Sequence, residues 1–169
     1  MPVISYEVTV TGPLFSNPDI ARTFDREIAA TLHDCGLVGV ELVRQGTPRG
    51  VGAGGLGLRG ATFTELRGVP GSRSQLISNP LPHVVPVELG RRPGAAMPPP
   101  GALVSWLVQK RSLSRDQAIR ASFPLARAIG RRGIPGRFMF RQAFQRLRPY
   151  VTRQFEACAA RISARLGGA

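Results

Sequence analysis

The strongest constraint in this 169-residue chain lies near its end. Phe140, Phe144, Leu147, Val151, Phe155, Cys158, Ile162 and Leu166 recur at spacings of three and four. That period puts them in one stripe along an α-helix. It predicts a helix over 138–166, bent at Pro149 and ended by Gly167. Arg141, Arg146, Arg148, Arg153, Arg161 and Arg165 lie mostly off the stripe. Such a helix is roughly 42 Å long, longer than the diameter of a domain of this size. Part of the stripe is therefore expected to project and pack on a second copy of the chain, while Phe140 and Phe144 are expected to be structural anchors of the fold.

A second periodic run begins near the other end. Asn17 suits an N-cap, Pro18 the first helical position and Asp19 the positive helix end. Ile20, Phe24, Ile28, Leu32, Cys35, Val38 or Gly39, and Leu42 then follow at helical spacing. Gly36 and Gly39 each weaken a helix by roughly 1 kcal/mol relative to alanine. A break near Cys35 would leave "LVGVELV" as a strand. "GTP" is the better stop signal, so one helix to about Gln45 is expected. Before it, "ISYEVTVTG" alternates, with Ile4, Tyr6, Val8 and Val10 on one face of a strand.

Between these runs the signals are shorter. "RGVGAGGLGLRG" makes 46–60 a flexible Gly-rich loop. It lacks the Gly-Lys-Ser/Thr ending of a phosphate loop. "ATFTELRGV", "SRSQLIS" and "HVVPVEL" read as three strands, the third an edge strand or bulge because of Pro86. A Pro-rich hinge over 93–101 leads into the short helix "ALVSWLVQK", where Leu103 and Trp106 are expected to anchor the helix to the sheet. Ser114 and Gln117 form a capping box that opens another helix. Its buried stripe is expected to be Ile119, Phe123, Ala126 and Ile129. Pro124 would kink that helix or start a new one capped by Ser122. "RGIPG" reads as a turn. The order of elements predicts a single α+β domain over 1–169, a small antiparallel sheet packed with a long N-terminal helix and C-terminal helices.

The formal charge is +13. Residues 1–100 carry nine Arg against eight acids, whereas 101–169 carry fourteen Lys or Arg against Asp116 and Glu156. That asymmetry points to a polyanion or an acidic protein face as partner. Arg91, Arg92, Arg131, Arg132, Arg137 and Arg141 are the candidate interface or DNA-facing residues. No apolar run reaches the ~20 residues of a membrane span. The N-terminus lacks the pattern of a secretory signal. Cys35 and Cys158 both fall on apolar helix positions, so two buried free thiols in a reducing compartment are expected.

Catalytic chemistry finds no support. His33 and His83 have no Cys, His or Asp companion at metal-ligand spacing. His33 stands near Cys35, but Cys35 sits on the core stripe. The acids are scattered singly, and Glu88, the one singled out, reads as a turn residue or a partner for Arg91 or Arg92. No catalytic residue, metal or cofactor is expected. No helix-turn-helix, zinc-finger or RNA-binding signature appears. The alternative of a non-specific nucleic-acid-binding protein rests on the Arg-rich C-terminal third alone.

"VELGRRPGAAMPPPGALVSWLVQK" resembles a segment "VE-x-G-T-x-P … PP … L-x-x-W … K" of the minor tail-component, or neck, proteins of long-tailed bacteriophages. "LARAIGRRGIPGRFMFRQAF" is similar to that family's "IA-x-x-I-x-x-x-G-x-x-G-x-x-F-x-x-A". "LVRQGTPRGVGAGGLGLRGA" resembles its "TP-x-x-T-G-x-L-R-x-S". The three occur in the family's order, over about 19–150. The sequence departs from the pattern in its longer Gly run, in Val84, Val85 and Pro86 where an aromatic residue usually precedes "VE", and in its added N-terminal strand. The resemblance implies a non-enzymatic virion protein of the neck or tail end, assembled in the host bacterial cytoplasm. It implies a ring, most commonly sixfold, between the head connector or stopper and the tail terminator, around a DNA channel. Phage-like particles such as gene-transfer agents and domesticated tails fall under the same reading. On it, the 46–60 loop would order only against a neighbour.

Overall fold

The computed structural model describes residues 3–9, 17–48 and 57–167. Its elements are β1 (Ile4–Thr9), α1 (Pro18–Gly46), α2 (Gly57–Gly60), β2 (Phe63–Val69), β3 (Ser72–Ser78), α3 (Val84–Leu89), β4 (Gly90–Arg91), α4 (Gly101–Arg111), α5 (Arg115–Arg132), β5 (Ile134–Pro135) and α6 (Met139–Gly167). The class is α+β, as the sequence predicts. The residues form two compact units. A sheet unit joins Met1–Gly46, Thr62–Pro80 and Met139–Ala169, and a helical unit joins Thr47–Ala61 and Leu81–Phe138. No helix among the described residues is long and apolar enough to cross a membrane.

In the sheet unit, β1, β3 and β2 pair antiparallel in that order. One face turns to solvent, as antiparallel sheets allow, and mixes Glu7, Glu65 and Arg67 with Phe63 and Val69 at 42% and 65% exposure. The other carries Ile4 opposite Ile77 opposite Thr64, and Tyr6 opposite Gln75 opposite Leu66. Helix α1 covers this inner face, and α6 packs along α1. Asn17 caps α1 as expected, its Oδ1 accepting from the Asp19 N–H at 3.0 Å. The helix then runs unbroken through both internal glycines.

Those glycines do something the sequence reading did not foresee. Gly36 and Gly39 are buried, and a Cβ on Gly36 would overlap Thr64 and Gln75. One on Gly39 would overlap Ile77 and Leu147. Their lack of a side chain lets the helix lie against β2, β3 and α6, and this packing outweighs their low helix propensity. The buried stripe continues through Leu32, Cys35, Val40 and Val43. On α6, Phe140, Leu147, Val151, Cys158 and Ile162 are buried as expected. Phe144 is not the core anchor expected of it. It is 40% exposed and stacks on Tyr6, with ring centroids 5.9 Å apart. Met139 and Ala143 take the buried places beside it. Pro149 lies inside a continuous helix.

The helical unit holds most of the corrections. "HVVPVEL" is not a strand but the short helix α3. Pro86 is its third residue, where the N–H has no intrahelical acceptor to lose. An apolar run this short fits either element. The turn "RGIPG" contains β5, which pairs antiparallel with β4. Residues 92–99 between β4 and α4 are irregular, as expected of the hinge, but the hinge follows a helix and a two-residue strand instead of a long strand. The core of the Gly-rich loop, 49–56, lies outside the described residues, as do Val10 and the Leu166 side chain. Residues 57–60 of that loop are helical, with Leu58 buried.

The capping box is present in full: the Gln117 N–H donates to Ser114 Oγ at 3.3 Å, and the Ser114 N–H donates to Gln117 Oε1 at 3.0 Å. Helix α5 continues through Pro124, and Ser122 Oγ donates to the Ile119 carbonyl instead of capping a new helix. The face, however, differs from the expectation. Ala126 is buried as expected, but Ala118 and Ser122 join it there, while Ile119 and Phe123 are 52% and 55% exposed. Small residues and large ones each recur every four positions here, one step apart, so periodicity alone does not choose between them. Helices α4 and α5 pack together, and small side chains permit that closeness. Trp106 is likewise not a buried anchor. It is 39% exposed and Leu103 is half-buried, while Leu107 alone on α4 is buried.

Candidate interaction surface

The β4–β5 ladder gathers arginines that are far apart in sequence. Arg91 pairs with Ile134, and Gly90 with Pro135. Around this ladder the Gly94 N–H donates to the Gly130 carbonyl at 2.8 Å, and the Arg137 N–H to the Val87 carbonyl at 2.9 Å. Gly133 caps α5 through its N–H to the Ile129 carbonyl at 2.8 Å. Its φ is +71°, and a side chain there would strike the Arg91 carbonyl. Only glycine fits. Arg91 and Arg92 are thus held beside Arg131 and Arg132, with Arg137 just beyond β5.

Four of these five are exposed. Arg91 is half-buried, and its Nη2 donates to the Ala96 carbonyl at 2.7 Å. Among the described residues, Arg131 and Arg132 form no ion pair. Arg141, the sixth candidate, is exposed on α6 in the sheet unit. Planar guanidinium groups of this kind match carboxylates and phosphates bidentately. Apolar side chains stand near in the same unit: Leu89 and Ile134 flank the ladder at 62% and 43% exposure. On α4, the Arg111 guanidinium lies 5.9 Å from the centre of the Trp106 ring.

The sheet unit handles its charges differently. Arg73 donates to both carboxylate oxygens of Asp25, at 3.0 and 2.8 Å. The Gly71 N–H adds a third bond to Asp25. The hydrogen bond from Arg73 holds the Asp25 carboxyl below its ordinary range, helped by that N–H. Arg161 and Arg165 both reach Glu27, at 3.3 and 2.7 Å, tying α6 to α1. Sequence reasoning missed these pairs. Their partners are 48 and more than 130 residues apart, and a single sequence carries no signal for such pairings.

An open groove of about 560 Å³ lies in the sheet unit, lined by Val8, Phe24, Ile28, Pro70 and the Asp25–Arg73 pair among others. Within it Asp25 and Arg73 satisfy each other, while Arg22 and Arg26 also line it. Cys35 and Cys158 are buried free thiols. Burial, with Asp34 adding to it, pushes the Cys35 thiol up to about 11, so it is protonated and unreactive at neutral pH. His33 is exposed and Cys35 buried, so they face different surroundings. Glu88 is buried in α3. Among the described residues, no three His, Cys, Asp or Glu side chains are grouped to hold a metal ion. The surface itself is a cluster of arginine forks beside exposed apolar side chains.

No family model, curated protein or solved structure matches the chain.

The division of charge decides which unit carries the surface. The helical unit has twelve Lys or Arg against Glu88 and Asp116, a net of +10. The sheet unit has eleven against eight acids, a net of +3. The arginines off the stripe of α6 thus belong to the better-balanced unit.

Proposed function

We propose that this chain is a structural protein of a phage or phage-like particle, joining the head connector to the tail or completing the tail end. It acts as one copy in a ring around the DNA channel. The observation that carries this reading is the makeup of the helical unit: a net charge of +10 together with large apolar side chains left on its surface. Leu89, Ile119 and Phe123 are exposed at 62%, 52% and 55%, apolar area that a subunit docking on neighbours would cover. The resemblance of three ordered segments to the neck family supplies the kind of assembly. The arginine cluster then meets an acidic ring above or below, or the phosphates of DNA in the channel.

The experiment is deletion of the gene in a host that makes the particles. Full heads and separate, unjoined tails are expected. Normal infectious particles would sink the reading. A second reading, a non-specific nucleic-acid-binding protein, draws on the same +10. It predicts a monomer that binds duplex DNA with affinity falling steeply as salt rises, and no effect of deletion on particles.

A further inference from the structure

Two exposed helix faces of this chain are complementary to each other. The outer face of α1 carries Asp34, Leu37 and Glu41, at helical spacings of three and four. Leu37 is 52% exposed. The outer face of α5 carries Ile119 and Phe123, with Arg120, Arg127 and Arg131 alongside. Asp116, at the start of α5, is the one acid on that face. One face is a leucine between two acids. The other is an apolar pair bordered by three arginines. Among the described residues none of these charged side chains takes part in an ion pair.

From these faces we infer that the α5 face of one copy docks on the α1 face of the next copy of this chain. The inference rests on the ring reading and names the contact that closes it. A ring of identical subunits is built from a heterologous contact, in which two different patches of one chain meet. Contact between two α5 faces is disfavoured, since each belongs to a unit of net charge +10. Contact between two α1 faces sets Asp34 and Glu41 against like charges. The mixed contact pairs Arg120, Arg127 or Arg131 with Asp34 and Glu41, and covers Leu37 with Ile119 and Phe123. It removes apolar surface from water and places opposite charges around it, the arrangement of an interface with a hydrophobic centre and a polar rim.

The test is a charge exchange followed by light scattering on the purified full chain at matched concentrations. Asp34→Arg with Glu41→Arg, and separately Arg120→Glu with Arg127→Glu, are each expected to weaken self-association at least about tenfold. All four substitutions together are expected to restore it. These side chains are exposed, so thermal melts of all variants should stay close to wild type and exclude misfolding as the cause. Assembly unchanged in the two double variants overturns the contact, as does failure of the fourfold variant to recover. A wild-type chain that stays monomeric at every concentration overturns it as well. The deletion phenotype is independent of these outcomes. Unjoined heads and tails, with association indifferent to the exchange, would leave the neck reading standing and remove this contact.

Discussion

The two units solve different problems with similar residues. The sheet unit buries Ile28, Leu32, Ile77, Phe140, Leu147 and Ile162, and it ties Arg73, Arg161 and Arg165 to Asp25 and Glu27. The buried side chains of the helical unit are fewer and smaller: Leu58, Val84, Leu107, Ala118 and Ala126 among them. Its large residues Leu89, Ile119 and Phe123 are turned outward. Arginines beside the half-buried carboxylates of Asp25 and Glu27 fasten β3 and α6 to α1. Arg131 and Arg132 pair with no carboxylate among the described residues. On the proposed reading, the sheet unit carries most of the chain's own stability and the helical unit the larger share of its positive contact surface.

The comparison is broken most severely by substitutions in the core of the sheet unit. Leu147 is fully buried, and Leu147→Ala should cost about 2–5 kcal/mol in chemical denaturation. A loss under about 1 kcal/mol would mean that α6 is not packed as described. Gly39→Leu comes next. It forces a side chain into the space of Ile77 and Leu147, and overpacking of this kind costs about 1–3 kcal/mol.

Asp25→Asn acts through pH. The carboxyl titrates lower in the folded chain than in the unfolded one, so it stabilises the fold above the unfolded value, near 4. That contribution fades as pH falls through the lower, folded value. The variant should melt roughly 2–4 °C below wild type at neutral pH, with the gap closing in acid. A gap that persists or widens at low pH would contradict the Arg73 pairing.

In the helical unit the same kinds of change should be mild. Trp106→Ala removes a side chain that is 39% exposed and rests under Arg111. It should cost about 1 kcal/mol or less. A loss of 3 kcal/mol or more by denaturation would restore Trp106 as a core anchor. Arg131→Glu with Arg132→Glu should leave the melting temperature almost unchanged while abolishing attachment to the particle or to DNA. Intact attachment would take the arginine cluster out of the interface.

What the sequence reveals follows the same division. Helices α1 and α6 are legible because 29 residues each of sustained period leave no competing element. The cap of α1, the box opening α5 and the hairpin strands β2 and β3 are legible because their signals are local. The α3 helix is not, since six residues of apolar sequence with a proline satisfy two templates. The packing role of Gly36 and Gly39 is hidden because it depends on strand residues Thr64, Gln75 and Ile77 and on Leu147 of α6, all far along the chain. The buried face of α5 is hidden because its small residues, not its large ones, meet the neighbour. At the candidate surface, the arginines were visible as residue types. Their gathering was not, because the β4–β5 pairing joins two dipeptides more than forty residues apart, each too short to register as a strand.

The most direct measurement is to purify the particles from a strain encoding this chain and count its copies by quantitative mass spectrometry. The account predicts a small, fixed number per particle, consistent with one ring, retained through density-gradient purification and high salt. Particles that are complete and infectious without it, with the chain found only free or on cellular nucleic acid, would contradict it.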